Sequence, residues 1–494
     1  MPNALPLYRA ESVRAIERAA VACGLAPAVL MARAGAAVAA LARERWPQAR
    51  HIGVLCGRGN NGGDGYVAAL ALHRAGLEVA LVAAAEPATA EAIDAARDWR
   101  AAGQAVIALG APLPNVDLWI DALFGVGLNR APEDALAAVL RAVEAQGAPV
   151  LAVDVPSGVD ADSGSAPGVA LAADLTLCLI GAKRGLVTAR GREFAGEVRV
   201  DDLGVPSEIM GAVPPDALGV ASASLRAALP RRRADSHKGR HGRVLCLGGD
   251  VGMEGALVLC AEAAARAGAG SVQAWGRHGA VAALQSRRPE VMARVLDDGE
   301  PIDAARLSAS NASVIAVGPG LGLKPWGRAL FAAALPATLD TGLPLVLDAD
   351  ALNLLAEAPR PLPGAVLTPH PGEAARLLGI DAAAVQADRF AALSALVDVF
   401  QCAVVLKGAG TLVGAPGKTP RVLLAGNPGM ASAGMGDVLT GVIAALRAQG
   451  LSPFEAATAG ALAHSAAADA AAGARPRGLL AGDVVDALRE VLNP

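Results

Sequence analysis

The hydrophobic positions of this chain fall into short apolar runs separated by amphipathic stretches. Six runs in the first half predict β-strands: HIGVLC, LEVALVAA, QAVIAL, VDLWIDALFG, APVLAVDVPSG and LTLCLIG. The clearest helices between them are GYVAALALHRAG and PEDALAAVLRAVEAQG. Strands that are apolar throughout are typical of a parallel sheet covered by helices on both faces. The alternation of strands and helices therefore predicts an α/β fold with a doubly wound parallel sheet.

A second series of the same kind begins after a break in the pattern. Residues 211–242 contain prolines and small residues, followed by the basic cluster PRRRADSHKGRHGR. This cluster is either a solvated linker or a loop that holds a phosphate with Lys238 or Arg240. The later strands are predicted in GRVLCLGGD, SVQAW, SVIAVGPGLG, LPLVLDADALNLL, GAVLTPHPGE and CAVVLKGAGTLVG, before the long helices GDVLTGVIAALRAQG and PFEAATAGALAHSAAADAAAG. With no residue-level repeat between the halves, we predict two different α/β domains, 1–220 and 221–494.

Composition narrows the class of protein. Hydrophobic residues make up 53% of the chain but aromatic residues only 3%, so the core must be built from small aliphatic side chains. The formal net charge of −4 provides no general attraction to nucleic acid or anionic membranes. The N-terminus lacks the basic and apolar segments of a secretory leader, and no run of about 18 apolar residues predicts a membrane span. None of the six cysteines forms a C-x-x-C pair, and four of them (Cys56, Cys178, Cys246 and Cys402) lie in or beside apolar, strand-like runs, where a thiol acts as a small hydrophobic group. We therefore expect a reducing, cytoplasmic location.

A glycine-rich segment follows HIGVLC, the first predicted strand of the first half. Gly57, Gly59 and Gly62 form a G-x-G-x-x-G pattern before a predicted helix, which is typical of dinucleotide binding. The glycines of NNGGDG would let backbone amides approach a phosphate, although Asn-Asn-Gly-Gly also suits a tight turn. An NAD-dependent dehydrogenase would use Glu86 as its acidic residue, but no residues for hydride transfer accompany it.

Oxygen-bearing side chains follow three strands of the first half. They are Asn60, Asn61, Asp64, Asp121, Asp154 and Ser157. The carboxyl ends of parallel strands meet at one edge of a sheet, so we expect these side chains to converge. Amide, carboxylate and hydroxyl oxygens suit a hard monovalent or divalent cation. Each alone suits a turn or a strand end, but together they predict a site.

In the second half, the segment AGNPGMASAGMGDVLTG carries the strongest signal. Gly429, Gly434 and Gly436 precede a long helix that is predicted to open at Asp437. The free amides and the dipole at a helix start favour an anion. Asp437 is therefore either the N-cap of this helix or a base that takes a proton from a hydroxyl reacting with a phosphoryl group.

Other strand ends of the second half carry further candidates. Lys407 and the residues after it form either a hairpin turn or a site for a nucleotide phosphate. A single His at a strand end is more often structural, but His370 lies between Pro369 and Pro371, which fix its loop and strengthen the alternative that it faces a ligand. The remaining candidates are the glycines of GPGLG (Gly318, Gly320, Gly322) and possible holders of Mg²⁺ or water (Asp348, Asp350, Asn353).

In this order, the motifs resemble those of the bifunctional nicotinamide-nucleotide repair enzymes, in which an NAD(P)H-hydrate epimerase domain is fused to an ADP-dependent (S)-NAD(P)H-hydrate dehydratase domain. The resemblance covers nearly the whole chain. GNNGGDGY, DALFGVGLNR and DVPSGVD match the epimerase half, and GPGLG, DADALN, TPHPGE, LKGAGT and GNPGMASAGMGDVLTG match the dehydratase half. The resemblance implies a Rossmann-like N-terminal domain and a ribokinase-like C-terminal domain. It also favours assembly as a homo-oligomer.

For the N-terminal domain, the resemblance implies interconversion of the (R) and (S) epimers of hydrated NADH and NADPH at nicotinamide C6. Asp154 would contact the substrate as the acid or base. Asn61, Asp121 and Ser157 would bind a potassium ion. The substrate positions would be Asn60, Asn61, Gly62, Gly63, Asp64, Gly125, Val126, Gly127, Leu128, Asn129, Arg130, Ala131 and Asp154.

For the C-terminal domain, the resemblance implies phosphorylation of the hydrate hydroxyl by ADP, after which loss of phosphate restores the nicotinamide ring. Asp437 would be the base, and Mg²⁺ is expected from the phosphate chemistry. The substrate positions would be Ala256, Gly320, His370 and Asp437. The nucleotide positions would be Lys407, Gly408, Ala409, Gly410, Thr411 and Gly436.

One departure from the family pattern and two other hypotheses stay open. The family usually has Ala-Thr-Gly-Gly before the helix, whereas this chain has Ala-Ser-Ala-Gly at 431–434. If position 433 requires a positive φ, Ala433 introduces strain or alters nucleotide affinity. The chain is alternatively a ribokinase-like kinase for a small alcohol with an N-terminal binding module, or its first half binds a nucleotide or partner without catalysis. The N-terminal oxygen cluster has no task in the kinase.

Overall fold

Parallel strands form the centre of each half of the chain. The structure is a computed structural model that describes residues 4–127, 131–229, 231–300 and 302–493. The chain divides into two units, Leu5–Ala217 and Leu218–Pro494, and Ala4 belongs to the second. The units meet at Ala217 and Leu218, whereas the sequence-based domain boundary at residue 220 stays a prediction. Among the described residues, no helix is long and apolar enough to cross a membrane.

The N-terminal unit is built around a fully parallel sheet with the strand order β4-β3-β2-β5-β6-β7-β9. A short parallel pair, β1 and β8, is not part of this sheet. The strands are β1 (Leu5–Tyr8), β2 (His51–Cys56), β3 (Glu78–Ala83), β4 (Val106–Ala108), β5 (Leu118–Ala122), β6 (Val150–Val153), β7 (Leu175–Leu179), β8 (Ala182–Lys183) and β9 (Glu197–Asp201). The helices are α1 (Ala10–Ala22), α2 (Pro27–Arg45), α3 (Asn60–Arg74), α4 (Ala90–Ala101), α5 (Asp134–Gln146), α6 (Gly191–Phe194) and α7 (Ser207–Ala212).

The start of α3 differs from the sequence-based prediction. The apolar pattern predicts a helix from Gly65, but α3 begins at Asn60 and takes in the whole NNGGDG segment. The interpretation of this segment as a turn with left-handed residues is wrong, because none of residues 60–65 has a positive φ. Its glycines allow close packing instead. A Cβ atom on Gly62 would lie 1.9 Å from the backbone oxygen of Gly57, and one on Gly65 would lie 2.7 Å from the Cβ of Ala122.

The C-terminal unit contains a larger sheet with the order β13-β12-β11-β14-β15-β16-β17-β18-β19-β10. Its neighbours are parallel except for the antiparallel pairs β17–β18 and β18–β19. The strands are β10 (Ala217–Val220), β11 (Arg243–Leu247), β12 (Ser271–Gly276), β13 (Met292–Val295), β14 (Val314–Val317), β15 (Leu345–Leu347), β16 (Val366–Leu367), β17 (Ala403–Leu406), β18 (Leu412–Gly414) and β19 (Arg421–Leu423). The helices are α8 (Leu225–Ala228), α9 (Glu254–Arg266), α10 (His278–Arg287), α11 (Ala304–Ser308), α12 (Pro325–Thr341), α13 (Ala349–Glu357), α14 (Pro371–Leu378), α15 (Ala382–Ala387), α16 (Arg389–Phe400), α17 (Met435–Ala448), α18 (Pro453–Ala472) and α19 (Ala481–Val491).

Small side chains let the C-terminal helices pack closely, as the composition predicts. The buried positions of α18 are mostly alanines. A Cβ atom on Gly460 of α18 would lie 2.7 Å from Cγ1 of Ile443 in α17. On another side of α17, a Cβ atom on Gly441 would lie 2.1 Å from the backbone oxygen of Cys260 in α9. The helix α17 is therefore fixed between α9 and α18, and the doubly wound α/β fold predicted from the apolar runs is confirmed in both units.

Candidate functional sites

Strand ends of the N-terminal sheet bring several predicted oxygen donors together. A Cβ atom placed on Gly125 would lie 3.2 Å from Oδ2 of Asp154 and 3.3 Å from Oδ1 of Asn61. Asn61 belongs to the first turn of α3, Gly125 follows β5 and Asp154 follows β6. The strand order reverses between β2 and β5. Ligands of open α/β sheets bind at such a reversal, outside the carboxyl ends of the strands.

Asp121 and Ser157 form a buried pair at the ends of β5 and β6. The backbone NH of Ser157 donates to Oδ2 of Asp121 at 2.7 Å, and the Ser157 hydroxyl donates to Oδ1 at 2.6 Å. The backbone NH of Leu123 donates to Oδ1 at 3.2 Å. Burial raises the pKa of Asp121, and these hydrogen bonds oppose the rise. Because all three donors are neutral, no described side-chain cation compensates the Asp121 carboxylate.

Lys183 holds Asp154, and it is absent from the sequence-based predictions. Its ammonium donates to Oδ1 of Asp154 and to the backbone oxygen of Leu179, the latter at 2.8 Å. The backbone NH of Leu179 also donates to Oδ1 of Asp154, at 3.1 Å. The Lys183 side chain is fully buried, whereas 12% of the Asp154 side chain is exposed. Asp154 has a φ of +70°, a conformation that Asp tolerates better than most residues. Its Oδ1 is therefore occupied, and its Oδ2 faces Gly125.

A cavity of about 580 Å³ opens beside these residues. Several of the predicted substrate positions line it: Asn60, Asn61, Asp64, Gly125, Val126, Gly127 and Asp154. Gly62 and Gly63 do not, because they pack inside the unit; a Cβ atom on Gly63 would lie 2.4 Å from the Met31 methyl group. Ala131 is exposed and lies outside the cavity lining. The predictions for Leu128, Asn129 and Arg130 fall outside the described residues.

Three more acidic residues line the same cavity, Glu17, Asp64 and Glu91. Burial raises the pKa of Asp64 well above its usual range, and the charges of Asp154 and Glu17 add to this effect. Burial, followed by the charge of Asp154, also raises the pKa of Glu17. Glu17 lies in an ordinary amphipathic stretch of α1, so sequence reasoning alone does not identify it.

In the C-terminal unit, a lysine–aspartate pair joins the ends of β15 and β17. Nζ of Lys407 lies 2.7 Å from Oδ1 of Asp348 and 3.7 Å from Oε2 of Glu373. The hydroxyl of Thr440 donates to Oδ2 of Asp348 at 2.9 Å. Burial alone would raise the pKa of Asp348, but Lys407 lowers it below its usual value. Burial alone would lower the pKa of Lys407, but the charges of Asp348 and Glu373 raise it above its usual value.

Asp437 lies beside this pair without capping its helix. The helix α17 begins at Met435, and its N-cap is Gly434, with a φ of +86° and no side-chain cap hydrogen bond. The predicted helix start at Asp437 and its interpretation as the N-cap are therefore wrong. Burial, followed by the charge of Asp348, raises the pKa of Asp437 to about 7, although Lys407 opposes this. A carboxylate with a pKa near neutrality is suited to accept a proton during a reaction.

Two of the predicted nucleotide positions meet at the start of α17. A Cβ atom on Gly436 would lie 3.1 Å from Oδ2 of Asp348 and 3.2 Å from Nζ of Lys407. The first turn of the helix therefore passes directly over the lysine–aspartate pair. Free backbone amides at such a helix start and a lysine ammonium nearby are suited to a phosphate group.

Residues 407–411 form the turn between the antiparallel strands β17 and β18, in which Leu406 pairs with Leu412. The interpretation as a hairpin turn is confirmed, and the Lys407 ammonium still reaches the strand ends. The buried Arg389, which the sequence does not distinguish, supports this turn from α16. Its guanidinium donates to the backbone oxygens of Leu406 and Lys407 at 3.1 and 3.3 Å. Burial lowers the pKa of Arg389 to about 10.

His370 has a structural task in addition to its predicted contact with substrate. Its Nδ1 accepts hydrogen bonds from the backbone NH groups of Gly372 and Glu373, and the Glu373 side chain accepts from the His370 backbone NH. This capping box begins α14. Burial lowers the pKa of His370, whose side chain is half exposed. A Cβ atom on Gly320 would lie 3.2 Å from the Cβ of Ala256, so these two predicted substrate positions are neighbours.

The candidate Mg²⁺ holders are occupied by protein partners. Asp350 accepts from the backbone NH of Gly322 at 2.9 Å and from Nδ2 of Asn353 at 3.2 Å. Asp348 bonds Lys407 as described above. Within the described part of the chain, no group of three or more His, Cys, Asp or Glu side chains is arranged to hold a metal ion. These residues therefore do not define a preformed Mg²⁺ site.

Ala433 does not introduce backbone strain into the loop before α17. Its φ is not positive, and its side chain is exposed. The left-handed residue of this loop is Gly434, where glycine is retained. The departure from the family pattern therefore falls at a position with ordinary backbone geometry.

Comparison with known proteins assigns both halves. Residues 27–185 match the family model described as YjeF-related protein N-terminus, and residues 244–490 match that of NAD(P)H-hydrate dehydratase. A relative named bifunctional NAD(P)H-hydrate repair enzyme Nnr from Escherichia coli is 43% identical over 500 residues, covering 100% of this chain and 95% of its own. Its counterpart from Coxiella burnetii is 44% identical over 498 residues, with 99% of each chain covered.

A solved structure supports the C-terminal fold. A ribokinase-like superfamily protein from Enterococcus faecalis is 27% identical, covers 56% of this chain and 95% of its own, and has a TM-score of 0.51. The match is consistent with the ribokinase-like fold expected for the second half. Together with the full-length relatives, it establishes that the chain belongs to the family of bifunctional NAD(P)H-hydrate repair enzymes.

Proposed function

We propose that this chain repairs hydrated nicotinamide nucleotides in two steps. The N-terminal unit interconverts the (R) and (S) epimers of NADHX and NADPHX. The C-terminal unit dehydrates the (S) epimer to NADH or NADPH at the expense of ADP, giving AMP and phosphate. The observation that carries this proposal is a free carboxyl group beside a potential phosphate site, Asp437 next to Gly436 and Lys407, in a chain whose full-length relatives are bifunctional repair enzymes.

In the N-terminal unit, Asp154 is the residue proposed to exchange a proton with the substrate. Lys183 and the Leu179 backbone fix its Oδ1, so its Oδ2 is the oxygen available to the cavity. Carboxylates fixed in this way can act as acid or base without first reorganising. The lining residues Asn60, Asn61 and Asp64, together with those from Gly125 to Gly127, would surround the hydrated ring.

The buried Asp121 and Ser157 fit a potassium ion. Their oxygens are hard donors, and within the described part of the chain the Asp121 carboxylate is compensated only by neutral hydrogen bonds. Asn61, with its Oδ1 near Gly125, is the proposed third contributor. The bound ion would balance the charge of Asp121 and hold the ends of β5 and β6 in place.

In the C-terminal unit, Asp437 is the proposed base. It would take the proton of the hydrate hydroxyl as that oxygen attacks the β-phosphorus of ADP, and AMP would leave. The nicotinamide ring would then expel inorganic phosphate from C6 and lose a proton from C5, which forms the double bond of NADH. Lys407 and the amides at the start of α17 would stabilise the charge of the transferred phosphoryl group.

Several finer features stay predictions. ADP phosphates are expected to bring Mg²⁺, for which the described residues offer no preformed ligand set, so no step is assigned to the metal. The assignments of Ala256, Gly320 and His370 to the substrate, and of Gly408, Ala409, Gly410 and Thr411 to the nucleotide, are proposals of the same kind. Cytoplasmic location, homo-oligomeric assembly and the absence of nucleic-acid and membrane partners also rest on the sequence.

A single set of incubations tests both activities. Purified (R)- and (S)-NADHX are incubated separately with the protein, with and without ADP. We expect epimer exchange without ADP, seen by chromatography, and formation of NADH only with ADP, seen by its near-ultraviolet absorbance. A kinase of small alcohols would leave both hydrates unchanged, which would defeat the proposal. NADH formation from (S)-NADHX without any exchange of the epimers would contradict only the proposed epimerase activity.

A further inference from the structure

The helix α1 forms a wall of the N-terminal cavity, although it precedes residues 27–185, which match the family model. Val13, Arg14 and Glu17 of this helix line the cavity. The Arg14 guanidinium donates to the backbone oxygen of Val126 at 3.0 Å, and Val126 lines the cavity too. This bond holds α1 against the loop after β5. The Glu17 carboxyl group is therefore part of the built cavity, in the same lining as Asp154.

The Glu17 carboxyl group has no hydrogen-bond or ion-pair partner among the described residues, although it is only partly exposed. Glu11, on the same helix, differs: its carboxylate accepts a bond from Arg18 at 2.8 Å and is exposed to solvent. A partly buried carboxyl group without a partner is costly to ionise, so it tends to retain its proton. The pKa of Glu17 is raised accordingly.

The neighbouring charges divide the carboxyl groups of the cavity into two kinds. The buried Lys183 ammonium forms an ion pair with Asp154, whereas Glu17 has no such partner among the described residues. The Asp154 charge in turn favours the protonated form of Glu17. The charged groups that act on Glu17 are Asp154 after β6, Glu91 in α4, and Arg14 and Arg18 in α1. The buried carboxyl group of Asp64 in α3 faces the same charges of Asp154 and Glu17. Two carboxyl groups whose surroundings separate their protonation states form the usual arrangement of an acid and a base.

We propose that Glu17 is a second catalytic residue of the N-terminal unit, acting as the acid where Asp154 acts as the base. The assignment rests on the epimerase function proposed above. As the C6–O bond of the hydrate breaks, its electron pair stays on oxygen, which takes the Glu17 proton and leaves as water. The lone pair of ring N1 forms a double bond to C6. Water then adds to the other face of C6, the double-bond pair returns to N1, and Asp154 takes the proton released from that water.

The test replaces Glu17 by Gln in the full-length protein, with Glu11→Gln as the matched control. Without ADP, exchange of (R)- and (S)-NADHX is followed by chromatography across a range of pH, after subtraction of the enzyme-free rate. We expect Glu17→Gln to lower kcat by about 100-fold or more with little change in KM. Because the acid form of Glu17 is required, kcat of the parent falls at high pH, and this decline disappears in Glu17→Gln. Glu17→Asp restores part of the rate and the decline.

Each outcome has a defined meaning. The ADP-dependent dehydration of (S)-NADHX should be unchanged in both Gln variants, which shows that the C-terminal unit is folded, and the unchanged KM for the epimers shows the same of the N-terminal unit. The proposal is overturned if Glu17→Gln keeps the parental rate and pH profile, or if it raises KM alone. It is also overturned if Glu17→Asp recovers the rate without the decline at high pH. Failure of the parent to exchange the epimers would instead defeat the proposed epimerase function.

Discussion

Replacement of Asp437 by Asn should reduce activity and stabilise the protein at the same time. The carboxyl group of Asp437 has a pKa of about 7, compared with an ordinary value of 3.8. This difference corresponds to about 4 kcal/mol, as an upper limit, by which the native structure disfavours the ionised form. This free-energy cost arises because the carboxylate is buried near the charge of Asp348. A neutral amide of the same shape has no charge and therefore no such cost.

The direction of the pH dependence follows from the raised pKa. Folded protein binds the Asp437 proton more tightly than unfolded protein. Asp437 therefore does not lower the free energy of unfolding below pH 3.8, where it is protonated in both states, and lowers it by the full amount above pH 7. Between pH 5 and pH 8, the advantage of Asp437→Asn over the parent should therefore grow by up to about 3 kcal/mol. The dehydratase rate of the variant should fall by about 100-fold or more, because the base is lost.

Calorimetry of the full-length protein measures the stability effect, using the unfolding transition that ADP shifts to higher temperature. Initial rates of NADH formation from (S)-NADHX measure the activity. Asp398→Asn is the matched control, because Asp398 is an exposed aspartate of the same unit. A variant with full activity would refute the assignment of the base. An equal stability difference at pH 5 and pH 8 would refute the electrostatic reasoning.

Three further predictions concern the neighbouring residues. Asp121→Ala should slow epimerisation and abolish its dependence on potassium without changing the dehydratase rate; equal parental rates with and without potassium would contradict the ion site. Lys183→Met should destabilise the protein by about 3–5 kcal/mol, since it leaves Asp154 buried without its partner, and adding Asp154→Asn should restore much of the loss in denaturant titrations. Ala433→Gly should change the Michaelis constant for ADP by less than about twofold, because Ala433 has an ordinary φ; a large gain in affinity would show that the alanine is strained.

The sequence predicts the strands well and the helix starts less well. Apolar runs such as HIGVLC become buried strands, because a parallel sheet covered on both faces requires continuous apolar residues. The helix α3 starts five residues earlier than predicted, because the glycines of NNGGDG suggest a loop. Their actual task, close contact with the backbone of Gly57 and with Ala122, is visible only after the strands are assembled.

Within the sites, residues in glycine-rich motifs could be recognised, but their charged neighbours could not. Asp154 stands out in DVPSGVD, whereas its partner Lys183 lies 29 residues away in a segment with no distinctive pattern. Arg389 has the spacing of an ordinary helix residue and gains meaning only from the backbone oxygens that it contacts. Sequence motifs therefore predict where chemistry occurs, while the groups that set protonation come from elements brought together by folding.

The two units use the same kind of ion pair for opposite purposes. In the N-terminal unit, Lys183 contacts Asp154, the carboxylate that also faces the cavity, so the lysine compensates the proposed reactive group directly. In the C-terminal unit, Lys407 contacts Asp348, and the charge of Asp348 is one of the causes that raise the pKa of the neighbouring Asp437. Removing the lysine should therefore leave a buried carboxylate unpaired in either unit, Asp154 in the first and Asp348 in the second. In the second unit, loss of Lys407 would raise the pKa of Asp437 further, since its ammonium opposes that rise. A basic shift in the pH profile of the dehydratase in Lys407→Met, measured with saturating ADP, is the consequence that distinguishes these two arrangements.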